Sequence, residues 1–362
     1  MGDRLSHNRG CLLGLAVGDA MGCTVDKKSW EEICESYGPN GLLGYDLQND
    51  YADVSSYTQL AAFAANGLLL GATRAQPEAY PKYIALSLKE WAKAQQFRGA
   101  AERTHCWVAQ IPALRRRLCM DTRMLDSLSR DTLGTVENPI NTALSPGALT
   151  TAVAVGLFFD PKRLEPRQIG RLGAAAVAMT HGNPESFLSG AVLAYVIAGC
   201  LADPECALIR QLDLALQAVR DQYADRYVQA YDTVADGIRR AIELTRDPEL
   251  SPLAAMTLLG CTTAPECLAG AVYASLIHPA NFDEAMIVSV NHSGRSAAVA
   301  SVTGAILGAR LGAEALPDFY LESLEPVDAL EELAKDLALG RQTTRIFDDS
   351  WDHKYIQGLP VT

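Results

Sequence analysis

The chain has 362 residues, a hydrophobic fraction of 49%, an aromatic fraction of only 7% and a formal net charge of −12. This acidic balance excludes non-specific binding to nucleic acid, because the phosphate backbone attracts proteins with a surplus of Lys and Arg. Ala and Leu supply most of the apolar content and enter helices at little cost, whereas strands favour aromatic and β-branched residues. The composition therefore predicts an all-α protein.

The first part of the chain contains candidate helices separated by polar or glycine-rich segments. The predicted helices are residues 9–22, 30–37, 58–72, 81–96, 107–118 and 123–129. Alternating small residues in 9–22 predict close packing of this helix against a neighbouring backbone. Clusters of glycine and proline at 38–41 and 145–147 interrupt the apolar pattern and predict loops.

The second part of the chain is richer in apolar helical stretches. The predicted helices are residues 149–159, 166–180, 184–202, 207–235, 234–245, 264–278, 282–288, 296–311 and 326–339. No internal repeat or flexible linker separates them. We therefore expect one compact domain over residues 1–340, followed by a polar tail at 341–362.

The expected compartment is the cytoplasm, and no membrane partner is expected. Residues 1–10 are polar and lack the pattern of a secretory signal. No stretch reaches the roughly 18–20 apolar residues of a membrane span. The nine cysteines are scattered and odd in number, which predicts free thiols in a reducing environment.

Four motifs carry a resemblance to a known family. They are the segment 9–22 with its Gly-Asp-Ala-hydrophobic-Gly ending, the segment 55–60, the Thr-His-Gly-Asn-Pro turn at 180–184, and the segment 290–298 before a Gly/Ala-rich helix. In this order they resemble the ADP-ribosylglycohydrolases over residues 9–310. The resemblance implies a single all-α domain, in agreement with the composition.

The resemblance also implies a chemistry and a cofactor. Members of this family hydrolyse the N- or O-glycosidic bond that links ADP-ribose to a side chain or a small acceptor. They use two Mg²⁺ ions, held by an Asp-Asp-Thr motif and an Asp-X-Asp-Ser/Thr motif. Two dications need several carboxylate oxygens to offset their charge.

This chain departs from the family at the metal positions. The family's ligand positions are occupied here by Ser56, Tyr57, the retained Thr58, Arg295, Ala297 and Ala298. Neutral hydroxyls cannot balance a dication. A guanidinium about 5 Å from Mg²⁺ would repel it by several kcal/mol at an effective dielectric constant of about 20. We therefore expect neither a bound metal nor another cofactor, and the vestigial positions identify no catalytic residue.

Other family positions predict a site for a small anionic ligand such as ADP-ribose or a nucleotide. The candidate ligand-binding residues are Tyr57, Ser145, Gly147, His181, Gly182, Asn183, His292, Ser293, Gly294 and Arg295. We hypothesise that Arg295, at a helix N-terminus, replaces a lost Mg²⁺ in holding an anion. The alternative is that Arg295 pairs with a carboxylate in the emptied cavity. Tyr57 would either stack on the ligand or fill space.

Structural roles compete with ligand binding at several of these positions. His181 and His292 could contact a ligand or hold a turn. Asp19 is expected to hydrogen-bond a neighbouring turn. In the loop 145–151, the family's glycine pair is reduced because Ala148 replaces one member.

Three functions remain open from the sequence. The leading hypothesis is a family member that has lost metal-dependent hydrolysis and keeps a cleft for a small anion. The second is a protein that binds and regulates a protein partner without chemistry. The third is a metal-free hydrolase in which a carboxylate such as Asp53 is the general base.

Overall fold

The computed structural model describes residues 2–47, 50–74, 79–96, 104–162, 164–340 and 350–359, without the side chains of residues 2 and 3. Within these ranges the regular secondary structure is helical, apart from one isolated β-bridge between Ala52 and Leu324. The predicted all-α fold is therefore confirmed.

The helices follow each other along the whole described chain. They are α1 (Gly2–Val25), α2 (Trp30–Tyr37), α3 (Ser56–Thr73), α4 (Tyr80–Gln96), α5 (Thr122–Leu128), α6 (Leu149–Phe158), α7 (Pro166–Ala178), α8 (Pro184–Ala202), α9 (Leu208–Tyr223), α10 (Val228–Leu244), α11 (Pro252–Leu259), α12 (Ala264–Ile277), α13 (Phe282–Val290), α14 (Ser296–Leu311), α15 (Asp318–Ser323), α16 (Val327–Leu339) and α17 (Ser350–Asp352). Short 3₁₀ turns lie at Trp107–Gln110, Pro112–Arg115, Pro146–Ala148 and Ala313–Ala315, and a π-helical turn, His353–Gln357, follows α17.

The centre of the fold is the pair α1 and α14, whose backbones are in direct contact. A Cβ added to Gly14 would collide with the carbonyl oxygen of Gly304, and one added to Gly18 would collide with that of Ala300. A Cβ on Gly22 would lie 2.5 Å from the carbonyl oxygen of Ser296. The small residues of α1 thus permit the close backbone packing that the sequence predicted.

Helices α3, α6, α8 and α12 pack around this pair and are buried along most of their length. Helix α8 is long and apolar enough to cross a membrane by length and composition alone, and 78% of its apolar window is buried inside the fold. The prediction that no segment reaches this length is therefore wrong for α8, whose apolar character serves the protein core.

Two predicted helices differ in the structure. Residues 107–118 form two 3₁₀ turns rather than one α-helix, because the Pro112 ring and its missing amide hydrogen interrupt the helical pattern. Residues 207–235 are divided between α9 and α10. Tyr227 leaves the helical conformation there, where its ring packs on Phe187 and its hydroxyl donates to the carbonyl of Val136 at 2.7 Å. Helices α11 and α15 were not predicted.

The cysteines also depart from the prediction of nine free thiols. Cys23 at the end of α1 and Cys119 before α5 form a disulfide, with Cα atoms 6.0 Å apart. The other seven cysteines are free, as predicted. The pair is distant in sequence, so the spacing of cysteines gave no signal for it.

The described part of the tail packs against the domain. Residues 341–349 and 360–362 lie outside the described residues. Trp351 Nε1 donates to Thr73 Oγ1 at 2.9 Å, and the buried Lys354 ammonium contacts the carboxylates of Asp336 and Glu332. Residues 350–359 therefore join the fold rather than extending from it.

Candidate functional site

The family-like motifs meet where the N-terminal ends of α3, α5, α6, α8 and α14 approach the C-terminal end of α1. Contacts between these ends are direct: Thr150 Oγ1 of α6 donates to the carbonyl of Tyr57 in α3 at 2.7 Å. Each helix N-terminus carries the positive end of a helix dipole. Side-chain oxygens already accept hydrogen bonds from first-turn amides of α3, α5 and α8. This framework favours anionic groups at the point of convergence.

Asp19 holds the start of α3 in place. Its buried carboxylate accepts hydrogen bonds from the backbone amides of Ser55 and Thr58, at 2.8 Å and 3.0 Å, and from both of their hydroxyls. Burial raises the pKa of Asp19 to about 6, although these hydrogen bonds act in the opposite direction. The geometry agrees with the structural role predicted for Asp19 and gives Thr58 a structural partner.

Arg295 lies at the N-terminal end of α14 and contacts one group in the turn after α1 and one group in α3. Its Nε donates to Asp26 Oδ2 at 3.2 Å, and its NH2 group donates to the Tyr57 hydroxyl at 3.0 Å. Asp26 also accepts from the backbone amide of Ala297 at 3.3 Å. Burial raises the pKa of Asp26 despite the adjacent guanidinium. The three side chains form an internal ion-pair cluster.

The remaining vestigial metal positions are buried. Ala297 and Ala298 have no exposed surface and belong to the first turn of α14. Ser56 Oγ donates to the carbonyl of Cys119 at 3.1 Å. The Tyr57 side chain is fully buried, which raises its pKa well above the ordinary value. Tyr57 therefore fills space between α3 and α14, and no face of its ring is accessible in this conformation.

These residues do not fit a pair of magnesium ions. Mg²⁺ requires oxygen ligands at close range, and the positions offer a guanidinium, two methyl groups and a phenol that is hydrogen-bonded to that guanidinium. The hydroxyls of Ser56 and Thr58 are uncharged and donate to the Cys119 carbonyl and the Asp19 carboxylate. Asp26 is a carboxylate, but its charge is balanced by Arg295. Within the described ranges, no group of three or more His, Cys, Asp or Glu side chains has the arrangement of a metal site.

A second cluster forms around Asp121, the N-cap of α5. Its carboxylate accepts a hydrogen bond from Ser145 Oγ and lies 3.3 Å from His181 Nε2, which is itself 2.9 Å from Ser145 Oγ. Burial would raise the pKa of Asp121, but the hydrogen bonds from His181 and Ser145 dominate and hold it well below its usual range. Two predicted ligand-binding residues thus bind a carboxylate of the chain itself.

The cluster does not have the order of a Ser-His-Asp triad. In a triad the two imidazole nitrogens contact different partners, the nucleophile and the acid. Here Nε2 of His181 faces both Ser145 and Asp121, while Nδ1 lies 3.0 Å from Thr180 Oγ1. The arrangement is suited to holding an anion rather than to activating Ser145.

Gly147, Gly182 and Asn183 of the predicted ligand site shape the turns before α6 and α8. A Cβ on Gly147 would lie 2.8 Å from Cβ of Asp121, so this glycine gives Asp121 its space. The Gly182 amide donates to Asn141 Oδ1 at 2.9 Å. Asn183 caps α8, and its side-chain oxygen accepts from the Glu185 amide at 2.9 Å.

The turn before α14 holds the other predicted residues. His292 is buried, and its Nε2 lies 3.0 Å from the carbonyl oxygen of Ser289. Burial lowers the pKa of His292 to about 4. The imidazole is therefore neutral. Ser293 is exposed, and its hydroxyl oxygen accepts a hydrogen bond from the Trp30 amide at 2.7 Å. The Gly294 carbonyl accepts a hydrogen bond from the Lys27 amide at 2.9 Å. These contacts join the turn to the segment between α1 and α2.

Asp53, considered as a lone general base, is engaged in an ion pair. Arg116 contacts the carboxylates of Asp53 and Glu325.

Sequence reasoning missed Asp26 and Asp121, the two carboxylates that define the clusters. Asp121 carried a detectable signal, because Asp is a preferred N-cap before a helix.

Comparisons with known proteins identify the family. The profile of the ADP-ribosylglycohydrolase family matches residues 2–346. An uncharacterised protein of Archaeoglobus fulgidus is 26% identical over 337 residues, which cover 91% of this chain and 95% of that protein. A solved structure described as an ADP-ribosylglycohydrolase-related protein complex aligns with a TM-score of 0.55 at 23% identity, over 94% of this chain and 98% of that one. Since the family profile spans nearly the whole chain and the fold agrees, the chain belongs to the ADP-ribosylglycohydrolase family.

Proposed function

We propose that this family member holds a small anionic ligand, ADP-ribose or another nucleotide, without bound magnesium. In this proposal it does not carry out the dinuclear hydrolysis of ADP-ribosyl bonds. It needs no other cofactor and acts in the cytoplasm.

The observation that carries the proposal is that the polar groups of the site already bind carboxylates. Arg295 holds Asp26, and Ser145 with His181 holds Asp121. Groups that donate to a carboxylate oxygen donate equally to a phosphate oxygen, and a guanidinium does so with a planar pair of N–H groups. Converging helix N-termini act in the same direction.

The charge of the site supports the loss of metal chemistry. The family's hydrolysis depends on acidic ligands around two dications, and this chain places Arg295 among those positions. The guanidinium is 14% exposed and lies against Asp26 and Tyr57, so a cation would have to displace an existing ion pair. An anionic ligand faces no such repulsion from Arg295.

Calorimetric titration of ADP-ribose tests the proposal directly. The protein is titrated in buffer with dithiothreitol, once with Mg²⁺ and once with EDTA. We expect a dissociation constant in the micromolar range, about −8 kcal/mol, that EDTA does not change. Ser145→Ala should weaken binding by about tenfold, since it removes one charge-assisted hydrogen bond. Ser129→Ala, on the exposed end of α5, is the matched control.

Two results would contradict the proposal. Binding that requires Mg²⁺ would mean that other residues restore the metal site. Adenosine, which lacks phosphate, should not bind; equal affinity for adenosine and ADP-ribose would show that anion recognition is not the basis of binding.

A second candidate function, binding of a protein partner, is favoured by an apolar surface. Leu43, Leu47, Tyr51 and Phe319 are all exposed, between 42% and 55%. The contact of Tyr45 with Tyr320 brings their loop beside α15. Exposed apolar patches commonly mark interaction sites.

This alternative predicts a stable complex in the source cells. The complex should be lost from a Leu43→Ser, Leu47→Ser variant. It should be retained by Leu258→Ser, which alters an apolar side chain of similar exposure on α11. Equal loss with both variants would argue against this surface.

A further inference from the structure

The disulfide between Cys23 and Cys119 lies beside both clusters of the site. It joins the last turns of α1 to the segment 118–121, across 96 residues of sequence. Both cysteines are partly exposed, so a reductant can reach them. In the cytoplasm, where we propose that the protein acts, a disulfide is typically transient or redox-sensing rather than structural.

The segment 118–121 is held by a small number of other contacts. The Leu118 carbonyl accepts from the Ser56 amide at 3.2 Å, and the Cys119 carbonyl accepts from the Ser56 hydroxyl. Cys119 itself has a positive φ of 42°, a conformation that costs a non-glycine residue free energy. Together with the contacts of Asp121, the covalent bond therefore restrains this stretch of backbone.

Asp121 lies two residues after Cys119, and its carboxylate is part of the site. It contacts Ser145 and His181, which are predicted ligand-binding residues, and it lies against Gly147. The guanidinium of Arg123 also lies 3.4 Å from Ser145 Oγ. Asp121 thus occupies the donors that an external phosphate would use.

We propose that Asp121 is a built-in anionic occupant of the site and that the Cys23–Cys119 disulfide is a redox latch that keeps it there. A dithiol reductant gives two electrons and two protons to the disulfide; the S–S bond breaks, two thiols form, and the reductant becomes a disulfide. Segment 118–121 is then free to withdraw, which exposes Ser145 and His181 to a phosphate-bearing ligand beside the already exposed Arg123. The ligand class and the reducing compartment rest on the proposed function; the contacts that define the latch do not.

The latch is tested first without ligand, by hydrogen exchange of the full-length protein before and after dithiothreitol. Mass spectrometry with maleimide should find two new thiols, at Cys23 and Cys119. The amides of Ser56 and Arg123, which bond to Leu118 and Asp121, should exchange about tenfold faster after reduction. Unchanged exchange at these amides would overturn the latch.

The occupant is tested by titrating ADP-ribose into oxidised and reduced protein. We expect binding about tenfold tighter after reduction. Cys119→Ser should bind tightly in both states, and Cys34→Ser, which alters a free and partly exposed thiol, should behave like wild type. Asp121→Asn keeps an N-cap residue and removes the charge, so it should bind tightly even when oxidised.

The outcomes separate the latch from the proposed function. Faster exchange after reduction, with no binding of ADP-ribose in any state, would keep the latch and refute the proposed ligand. Equal affinity of oxidised and reduced wild type for ADP-ribose, together with faster exchange after reduction, would refute the role of Asp121 as an occupant.

Discussion

Arg295→Met tests whether the internal ion pair now stabilises the former metal positions. Methionine has a similar length and no charge, so the substitution leaves the Asp26 carboxylate, only 3% exposed, without its cation. Breaking a buried pair from one side typically costs about 3–5 kcal/mol. Protonation of Asp26 limits this cost, because burial already raises its pKa. A raised pKa in the folded state means that stability is present at low pH and lost as the pH rises. The variant should therefore be closest to wild type in acid.

Urea unfolding of a double-mutant cycle measures the effect. Asp26→Asn keeps an acceptor for the Ala297 amide, so the double variant should recover most of the loss, with a coupling energy of about 2–3 kcal/mol. Arg239→Met, in an exposed pair with Asp236, is the control and should change stability by less than about 0.5 kcal/mol. A cost below about 1 kcal/mol for Arg295→Met, with additive single effects, would refute the reasoning.

Three other predictions follow from buried contacts. Burial raises the pKa of Asp19 to about 6, so the stability that its protonated form contributes is lost as the pH rises through that value. The free energy of unfolding of wild type should therefore fall by about 3 kcal/mol relative to that of Asp19→Asn between about pH 4 and pH 7. An equal dependence of the two free energies on pH would contradict this. Gly304→Ala should destabilise by about 3 kcal/mol or more in urea, because the new Cβ meets the backbone of α1, whereas Gly44→Ala, in open space, should be neutral. Lys354→Met should cost about 3 kcal/mol by leaving Asp336 buried without its cation, and a loss below about 1 kcal/mol would show that this pair does not anchor the tail.

The sequence predicted the fold well because the signals for it are local. Composition, apolar periodicity and glycine or proline breaks depend on neighbouring residues, and most helix bounds agree within a few positions. The failure at residues 107–118 has a local cause in Pro112, whereas the failure at residues 207–235 has a tertiary cause. Tyr227 interrupts an otherwise continuous helical pattern through contacts with Phe187 and Val136, and neither partner is near it in sequence.

The candidate site was only half predictable. The family motifs identified the positions where this chain departs from the family's acidic pattern, but a motif comparison cannot find residues elsewhere in the chain that contact these positions. Asp26 lies in the turn after α1 and Asp121 lies before α5, outside all four motifs. Their importance comes from distances to Arg295, His181 and Ser145, which depend on the packing of distant helices.

The positions of these carboxylates follow from the electrostatics of the framework. The N-terminal ends of five helices lie near this region, and the positive ends of their dipoles favour negative charge there whatever chemistry the site performs. In a dinuclear site the acidic ligands supply that charge and the metals balance it. With those ligands replaced, Asp26 and Asp121 supply carboxylates to the same region, and Arg295 balances one of them. Ser145 and His181 contact the Asp121 carboxylate, and in the proposed redox latch this carboxylate is the group that an external anion displaces. Raising the ionic strength should weaken binding at this site less than it weakens binding at a surface site, because these groups are largely buried.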